Sequence, residues 1–229
     1  MDCRIRLPAM DKEAIHQRAE HFFEHIWEQE DAWALDSSSF EQARYDALMA
    51  ELEGKRYGKV LEIGCGAGAF TARLVRLADH IIAIDISPTA VAKARQRLAD
   101  VNKVSFLTAN VMESKFVDDG PFDLIVLSET IYYLGWLYPF FDLAWFASQL
   151  HAATASNGRL LLANTLGVFG DYLVLPWLIR TYHGLFRNVG YVVENESTFR
   201  GVKDSVAIEV LITMFRRADE QLNLTVGSS

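Results

Sequence analysis

The sequence predicts an α/β protein built on a mainly parallel sheet. Short apolar segments at strand-like length alternate with segments whose apolar residues recur at helical spacing. Strands are predicted at 60–63, 81–85, 104–108, 122–128 and 159–164. Alternation of this kind places helices on both faces of a parallel sheet. The end of the chain departs from this pattern, because a strand that starts at Tyr191 is followed by the long alternating run from Val206 to Phe215.

Helices are predicted both before the sheet and between its strands. Residues 11–30 carry apolar side chains at helical spacing, and the capping box Ser38-x-x-Glu41 opens a second helix that stops at Gly54. Core helices are expected at 69–78, 88–99, 138–151 and 177–189. The chain therefore divides into an N-terminal helical cap at 1–54, a core at 55–217 with a substrate-facing insert around 164–176, and a frayed tail at 218–229.

A glycine-rich turn between the first strand and the first core helix indicates a nucleotide-type cofactor site. Gly64, Gly66 and Gly68 remove side chains where the chain must turn sharply and where a ligand presses on the backbone. Asp85 ends the next strand, where it can accept hydrogen bonds from a ribose diol. The glycines alone also fit the dinucleotide pattern G-x-G-x-x-G/A, so a nicotinamide dehydrogenase is an alternative.

Two further features favour a different cofactor. Glu62 lies two positions before the first glycine, and the segment from Phe122 to Glu129 reads Phe-Asp-Leu-Ile-Val-Leu-Ser-Glu. With these features the chain resembles the class I S-adenosylmethionine-dependent methyltransferases from about Lys55 to Phe215. The resemblance implies a Rossmann-like, seven-stranded sheet in which the last strand inserts antiparallel between the fifth and sixth.

The resemblance also implies where S-adenosylmethionine binds. Glu62 and the glycines would line its methionine end, Asp85 would bind the ribose, and the ends of the third and fourth strands would frame adenine and the amino acid. Asn110 stands where the family commonly has aspartate, and its carbonyl can still accept a hydrogen bond. The expected cofactor-binding residues are Glu62, Gly64, Gly66, Gly68, Asp85, Ile86, Asn110, Val111, Ser128 and Arg44.

The acceptor is expected to meet the residues just beyond the fourth strand. Glu129 could hold an ammonium group or accept a proton, although it could equally cap the next helix. Tyr132 could stack on a ring or donate a hydrogen bond, or it could simply pack. His183 is a candidate base for a hydroxyl acceptor, although a lone helical histidine is more often structural. Glu129, Tyr132 and His183 are the candidate catalytic residues.

Within the superfamily, the chain is similar to nodulation N-methyltransferases, which methylate the terminal amino sugar of a chitooligosaccharide. The similarity lies in the segment from Gly68 to Leu74, in the segment from Ser128 to Leu134, and in the start Leu7-Pro8-Ala9-Met10. It implies methyl transfer to a nitrogen of a small molecule, such as an amino sugar or a secondary-metabolite amine. Alternatives are O-methyl transfer to a sugar or phenolic hydroxyl, and a non-catalytic partner subunit with a methyltransferase fold.

Composition narrows the class of partner. The formal net charge is −8 and the sequence has no dense Lys/Arg run, so nucleic acid is an unexpected partner. Two cysteines, Cys3 and Cys65, form no disulfide framework, and apolar stretches are interrupted by polar residues. We expect a cytoplasmic protein without a membrane span. His16, His21 and His25 lie on a charged helix, where a solvated face is more plausible than a metal site.

Overall fold

The computed structural model describes residues 12–168 and 171–218, and their strands form one seven-stranded sheet. The strands are β1 (Tyr57–Ile63), β2 (Ala78–Asp85), β3 (Val104–Thr108), β4 (Phe122–Ser128), β5 (Thr154–Thr165), β6 (Tyr191–Lys203) and β7 (Val206–Arg217). Their order is β3-β2-β1-β4-β5-β7-β6, and β7 is antiparallel to both of its neighbours. The predicted fold class is confirmed, including the insertion of the last strand between β5 and β6.

Some expectations lie outside the described residues. These are Cys3, the start Leu7-Pro8-Ala9-Met10, positions 169 and 170 of the insert, and the tail from 219 onward.

The described helices are α1 (Lys12–Trp27), α2 (Ser39–Leu52), α3 (Thr71–Leu74), α4 (Pro88–Arg97), α5 (Ile131–Leu137), α6 (Phe140–Ala153) and α7 (Pro176–Asn188). The predicted helix at 69–78 is wrong beyond its first turn, because Ala78 already pairs with Tyr57 in the sheet. The sequence reading missed α5, an aromatic segment without a clear apolar stripe. Gly135 lets α5 approach α7, since a Cβ there would lie 2.0 Å from Tyr182 Oη.

The core lies in two layers, one on each face of the sheet. Side chains such as Ile125 and Leu127 of β4 pack against α5, α6 and α7. The alternate residues Leu124 and Val126 pack on the opposite face with α2 and α4. Burial of both faces explains why the central strands read as continuous apolar runs rather than alternating ones. The polar ends of these strands are consequently left at one edge, outside the core.

Helix α1 is held over that edge by polar contacts with α4. Glu24 Oε2 accepts hydrogen bonds from Ser87 Oγ at 2.5 Å and from Thr89 N at 3.2 Å, at the N-terminus of α4. Lys93 Nζ donates to Trp27 O at 2.8 Å, at the C-terminal end of α1. Burial acts to raise the pKa of Glu24, but the bonds from Ser87 and Thr89 outweigh it and lower the pKa. The negative Glu24 therefore lies at the N-terminus of α4 and the positive Lys93 at the C-terminus of α1, where the helix dipoles favour these charges.

Removal of the Glu24 carboxylate should loosen α1 while leaving the sheet intact. We expect Glu24→Ala to speed amide hydrogen exchange in α1 by about 5–30-fold, because several hydrogen bonds to a half-exposed charged acceptor are lost. The pKa of Glu24 is lowered by docking, so the contribution is present above pH 4.5 and is lost as the pH falls through the lowered value. Glu28→Ala is the matched control, since the exposed Glu28 carboxylate, one residue beyond α1, lies 3.2 Å from the exposed His25 ring and not against α4. Equal exchange in the two variants would contradict this account of docking.

Candidate functional site

A cavity of about 360 Å³ lies at the carboxyl ends of the central strands, beneath α1. It is lined by residues from the N-terminal helices, from the ends of β1, β2 and β4, from the segment after β3, and from α5. The sequence-predicted residues that line it are Arg44, Glu62, Gly64, Gly66, Asp85, Ile86, Asn110, Val111, Ser128, Glu129 and Tyr132. Two predicted residues, Gly68 and His183, are not among the lining residues. Segments far apart in the chain thus meet at one rim.

The glycine turn after β1 needs glycine for reasons of space as well as conformation. Gly64 and Gly66 both have positive φ, of +76° and +52°. A Cβ on Gly64 would lie 2.5 Å from Thr130 Oγ1, and one on Gly66 would lie 2.5 Å from the ring of Trp27. The tryptophan ring at the end of α1 therefore rests directly on the turn.

Gly68 has a different role from the one expected for it. A Cβ there would lie 3.1 Å from Ala94 Cβ of α4, in the core and outside the cavity. We correct its assignment from cofactor contact to close packing of the turn against α4. Spacing alone could not separate these roles, because the packing partner is 26 positions further along the chain.

Asp85 joins the end of β2 to the glycine turn. Its Oδ2 accepts a hydrogen bond from Gly66 N at 2.8 Å, and its Oδ1 accepts one from Ser87 N at 3.0 Å. A carboxylate has about four lone-pair sites, so acceptor capacity remains on the side that lines the cavity. Burial raises the pKa of Asp85, although the bonds from Ser87 and Gly66 act in the opposite direction.

Glu62 is a second buried acid beneath the same turn. Its Oε2 accepts a hydrogen bond from Thr71 Oγ1 at 2.6 Å. Burial raises the pKa of Glu62 to about 8; the Thr71 bond opposes this shift and the nearby Asp85 charge adds to it. Burial thus disfavours the ionised carboxylate, and a cation entering the cavity would favour it.

Asn110 anchors the opposite end of the cavity. Its Oδ1 accepts from Met112 N at 3.1 Å, while its Nδ2 donates to Tyr138 Oη at 2.7 Å and lies 3.2 Å from His16 Nδ1. Ile86 and Val111 supply apolar walls nearby. Sequence reasoning missed the contribution of Tyr138 and His16, because no local pattern ties either residue to Asn110.

Arg44 reaches the cavity from α2 with a guanidinium that is already well bonded. Its Nε and Nη2 lie 2.8 Å and 2.7 Å from Glu41 Oε2, and its Nη1 donates to Ser128 Oγ at 2.8 Å. Lys203 of β6 pairs with the other oxygen of Glu41 at 2.7 Å. The sequence assigned Glu41 to a capping box, but Ser38 makes no side-chain capping bond and Glu41 pairs instead with Arg44 and with Lys203, which lies 162 positions further along the chain.

Glu129 stands at the end of β4 in a strained, left-handed conformation with φ of +55°. Its Oε2 accepts hydrogen bonds from Tyr132 Oη at 3.0 Å and from Thr165 N at 3.1 Å. Its Oε1 is buried, lies 4.0 Å from Arg44 Nη1, and has no hydrogen-bond partner among the described residues. Burial raises the pKa of Glu129 despite the Arg44 charge and these bonds. This oxygen is available to a ligand group that can donate to it.

Aromatic side chains line the part of the cavity beside Glu129. Phe23 of α1 contacts Tyr133 of α5, with ring centroids 5.0 Å apart, and Tyr132 and Tyr133 lie 4.5 Å apart. All three residues line the cavity, together with Val168 and Asp171 of the insert. Phe23 belongs to a stripe that the sequence identified only as the apolar face of a helix, so its role at the cavity was missed.

His183 is placed away from the cavity. Its ring lies 2.8 Å from Thr213 Oγ1 and 3.1 Å from Asn164 Oδ1, buried between α7 and the sheet. Burial, with smaller contributions from Arg187 and Arg180, lowers its pKa to about 3. We therefore withdraw His183 as a candidate base, because the structure gives it two internal partners and no contact with the cavity.

The described residues, 12–168 and 171–218, contain neither a metal-binding cluster nor a membrane-spanning helix. No group of three or more His, Cys, Asp or Glu side chains in these ranges could hold a metal ion. None of their helices is long and apolar enough to cross a membrane.

Sequence comparison relates the chain to nodulation proteins. It is 38% identical to nodulation protein S of Sinorhizobium fredii over 106 residues, which cover 46% of this chain and 48% of that protein. It is 37% identical to nodulation protein S of Bradyrhizobium diazoefficiens over 144 residues, which cover 62% of this chain and 63% of that protein. The aligned parts thus span about half to two thirds of these relatives' lengths.

Structural comparison shows the same fold in solved proteins. The N-methyltransferase NodS from Bradyrhizobium japonicum, in complex with S-adenosyl-L-homocysteine, superimposes with a TM-score of 0.75 at 24% identity and covers 87% of this chain and 98% of its own. Magnesium protoporphyrin IX methyltransferase from Synechocystis gives a TM-score of 0.62 at 18% identity, covering 93% and 100% of the two chains. The family model for nodulation protein S (NodS) matches residues 16–138, more than half of the sequence, and the chain belongs to this family.

Proposed function

We propose that this protein is an S-adenosylmethionine-dependent methyltransferase that methylates a nitrogen of a small molecule, such as an amino sugar or a secondary-metabolite amine. The observation that carries the proposal is the convergence of Glu62, Asp85, Asn110 and Glu129 from four separate strand ends on one cavity of about 360 Å³. The solved NodS relative with bound S-adenosyl-L-homocysteine supports the same cofactor here.

The lining residues fit the parts of that cofactor. Asp85 has acceptor capacity for ribose hydroxyls, and the backbone of the glycine turn can approach a ligand closely because it carries no side chains. Ile86 and Val111 offer apolar surface to a purine, and Asn110 offers polar atoms at its edge. Glu62 and Ser128 belong to the methionine end. The Arg44 guanidinium has N–H donors left for a ligand at this end, although two of its nitrogens contact Glu41.

The acidic character of the cavity matches a cationic ligand. Glu62 and Asp85 are buried, and that burial raises the pKa of each carboxyl. Because burial disfavours the ionised carboxylates, a positive charge placed beside them would favour their ionisation and would be stabilised by it. The sulfonium of S-adenosylmethionine supplies such a charge, together with an electrophilic methyl carbon.

Glu129 is the residue that favours a nitrogen acceptor. Its free Oε1 can accept a hydrogen bond from an ammonium group and take up the proton that must leave before the nitrogen lone pair is available. Burial raises the pKa of Glu129, which makes its carboxylate a stronger proton acceptor than an exposed glutamate. Tyr132 and Thr165 N hold Oε2 and so orient the carboxylate.

The N-terminal helices would exclude water during transfer. Trp27 covers the glycine turn and Phe23 covers Tyr133, so α1 closes the cavity from above. Water exclusion strengthens electrostatic interactions inside a site and prevents competing reactions. This arrangement supports the division into an N-terminal cap at 1–54 and a core at 55–217, which we keep as part of the proposal.

The cofactor assignment is tested by calorimetric titration with S-adenosylmethionine, with NADH as the comparison ligand. We expect Asp85→Ala to weaken S-adenosylmethionine binding by about 1–3 kcal/mol, because hydrogen bonds to the ribose are lost. Asp79→Ala is the matched control on the same strand, where Asp79 is exposed and paired with Arg56. Preference for NADH, or unchanged affinity in the Asp85 variant, would refute the assignment.

The acceptor assignment is tested by Glu129→Gln, which keeps the shape of the side chain but removes the proton acceptor. We expect kcat/KM for an amine acceptor to fall by about 10²–10⁴-fold, while affinity for S-adenosylmethionine changes little. Because the pKa of Glu129 is raised above 4.5, wild-type kcat/KM should rise with pH through that higher value, and the variant should lack this rise.

Glu209→Gln is the control, since Glu209 pairs with Arg200 at the exposed end of β7. Product masses from matched amine and hydroxyl acceptors decide between nitrogen and oxygen. Full activity of the Glu129 variant, or exclusive methylation of hydroxyls, would contradict the acceptor proposal.

A further inference from the structure

The helix α6 exposes aromatic side chains where a surface helix normally carries polar ones. Phe140, Phe141 and Trp145 are 54%, 83% and 68% exposed. Phe141 and Trp145 are four residues apart and therefore lie on the same side of the helix. The inward side of α6, with Leu143, Phe146 and Leu150, is fully used in the core. The exposed rings therefore contribute little to the packing of the core.

Neighbouring elements extend this aromatic surface. Helices α5, α6 and α7 contact one another and form the layer on one face of the sheet, so their exposed residues point away from that face. Both α6 and α7 begin at the carboxyl edge of the sheet, because each follows a strand that ends there. The aromatic surface consists of Trp136, Phe140, Phe141, Trp145, Tyr172 and Trp177.

The summed exposed area of these six residues is comparable with one half of a protein interface. An aromatic side chain presents roughly 150–250 Å² when fully exposed, so these partly exposed rings amount to about 800 Å². A standard interface buries about 800 Å² on each partner, and the largest apolar patch of a typical monomer is about 300–600 Å².

We propose that the aromatic surface is a self-association interface, at which α6 packs against the same helix of a second copy of this chain. A two-fold contact uses the same patch on both copies, so one self-complementary apolar surface is sufficient. Aromatic residues are enriched in the cores of such interfaces. An anionic lipid surface is a poorer match, because the formal net charge of the chain is −8.

The position of this surface gives the association a link to the cavity. Trp136 contacts Phe22 of α1, with ring centroids 5.4 Å apart, and Phe22 contacts Phe23, which lines the cavity. A second copy would therefore cover the outer side of the rings that hold α1 against α5. The inference depends on surface geometry and stands apart from the reaction proposed above.

Sedimentation velocity of the full chain over a range of concentrations tests the proposal, at about 0.15 M salt. We expect a reversible dimer whose dissociation constant rises by at least about 30-fold in Phe141→Glu and in Trp145→Glu, as is typical for aromatic residues at an interface centre. Val202→Glu is the control, because Val202 is 64% exposed on β6, away from this helical layer. Circular dichroism checks that each variant keeps the fold.

Three results would overturn the proposal. The first is a wild-type protein that stays monomeric up to about 100 μM, a concentration at which even weak specific dimers form. The second is a dimer that persists unchanged in both glutamate variants. The third is a monomer that binds phosphatidylcholine vesicles through Phe141 and Trp145, which would assign the aromatic surface to a membrane. Dimerisation that strengthens with added salt would support the proposal, because salt screens repulsion between two chains of net charge −8.

Discussion

The hydrogen bond from Gly66 N to Asp85 Oδ2 connects the two strand ends on which the rest of the site depends. It fixes the glycine turn against the tip of β2, and the positive φ of Gly64 and Gly66 lets the chain make that turn. Trp27 can then rest on Gly66, and Ser87 can cap α4 while it bonds to Glu24. One buried carboxylate therefore organises the turn and the start of α4, and α1 docks on both.

The cavity contains carboxyl groups whose burial makes their ionised forms unfavourable. Burial raises the pKa of both Glu62 and Asp85, and the nearby Asp85 charge adds to the cost of ionising Glu62. The cationic side chains among the described lining residues, Arg44 and Lys203, are both paired with Glu41, and Arg44 also donates to Ser128. Such an arrangement is costly for stability in isolation, since buried charges need compensation. It suits a protein that binds a positively charged ligand, because the ligand supplies the compensation.

The cap is bound to the core by contacts that are polar at its ends and aromatic in its centre. Glu24 and Lys93 fix α1 on α4, Lys203 pairs with Glu41 of α2, and Phe23 packs on Tyr133. The contacts of Glu24 and Lys93 are only part-buried and can open locally without unfolding the sheet, whereas the Glu41–Lys203 pair is largely buried. An element held in this way can close a cavity and still release it.

The sequence by itself determined the sheet, the glycine turn and the polar strand ends, because strand alternation and glycine spacing are local patterns that directly reflect backbone geometry. It identified Glu62, Asp85, Asn110 and Glu129 for the same reason, since the carboxyl ends of parallel strands share one edge.

Only the tertiary structure decided which of the remaining candidates face the cavity. Gly68 and His183 have the right residue types, yet Gly68 packs closely against Ala94 and His183 bonds to Thr213. Phe23, Lys203 and Tyr138 became part of the site because contacts between segments distant in sequence brought them there. Such contacts depend on how whole elements pack, which no local pattern of residues encodes.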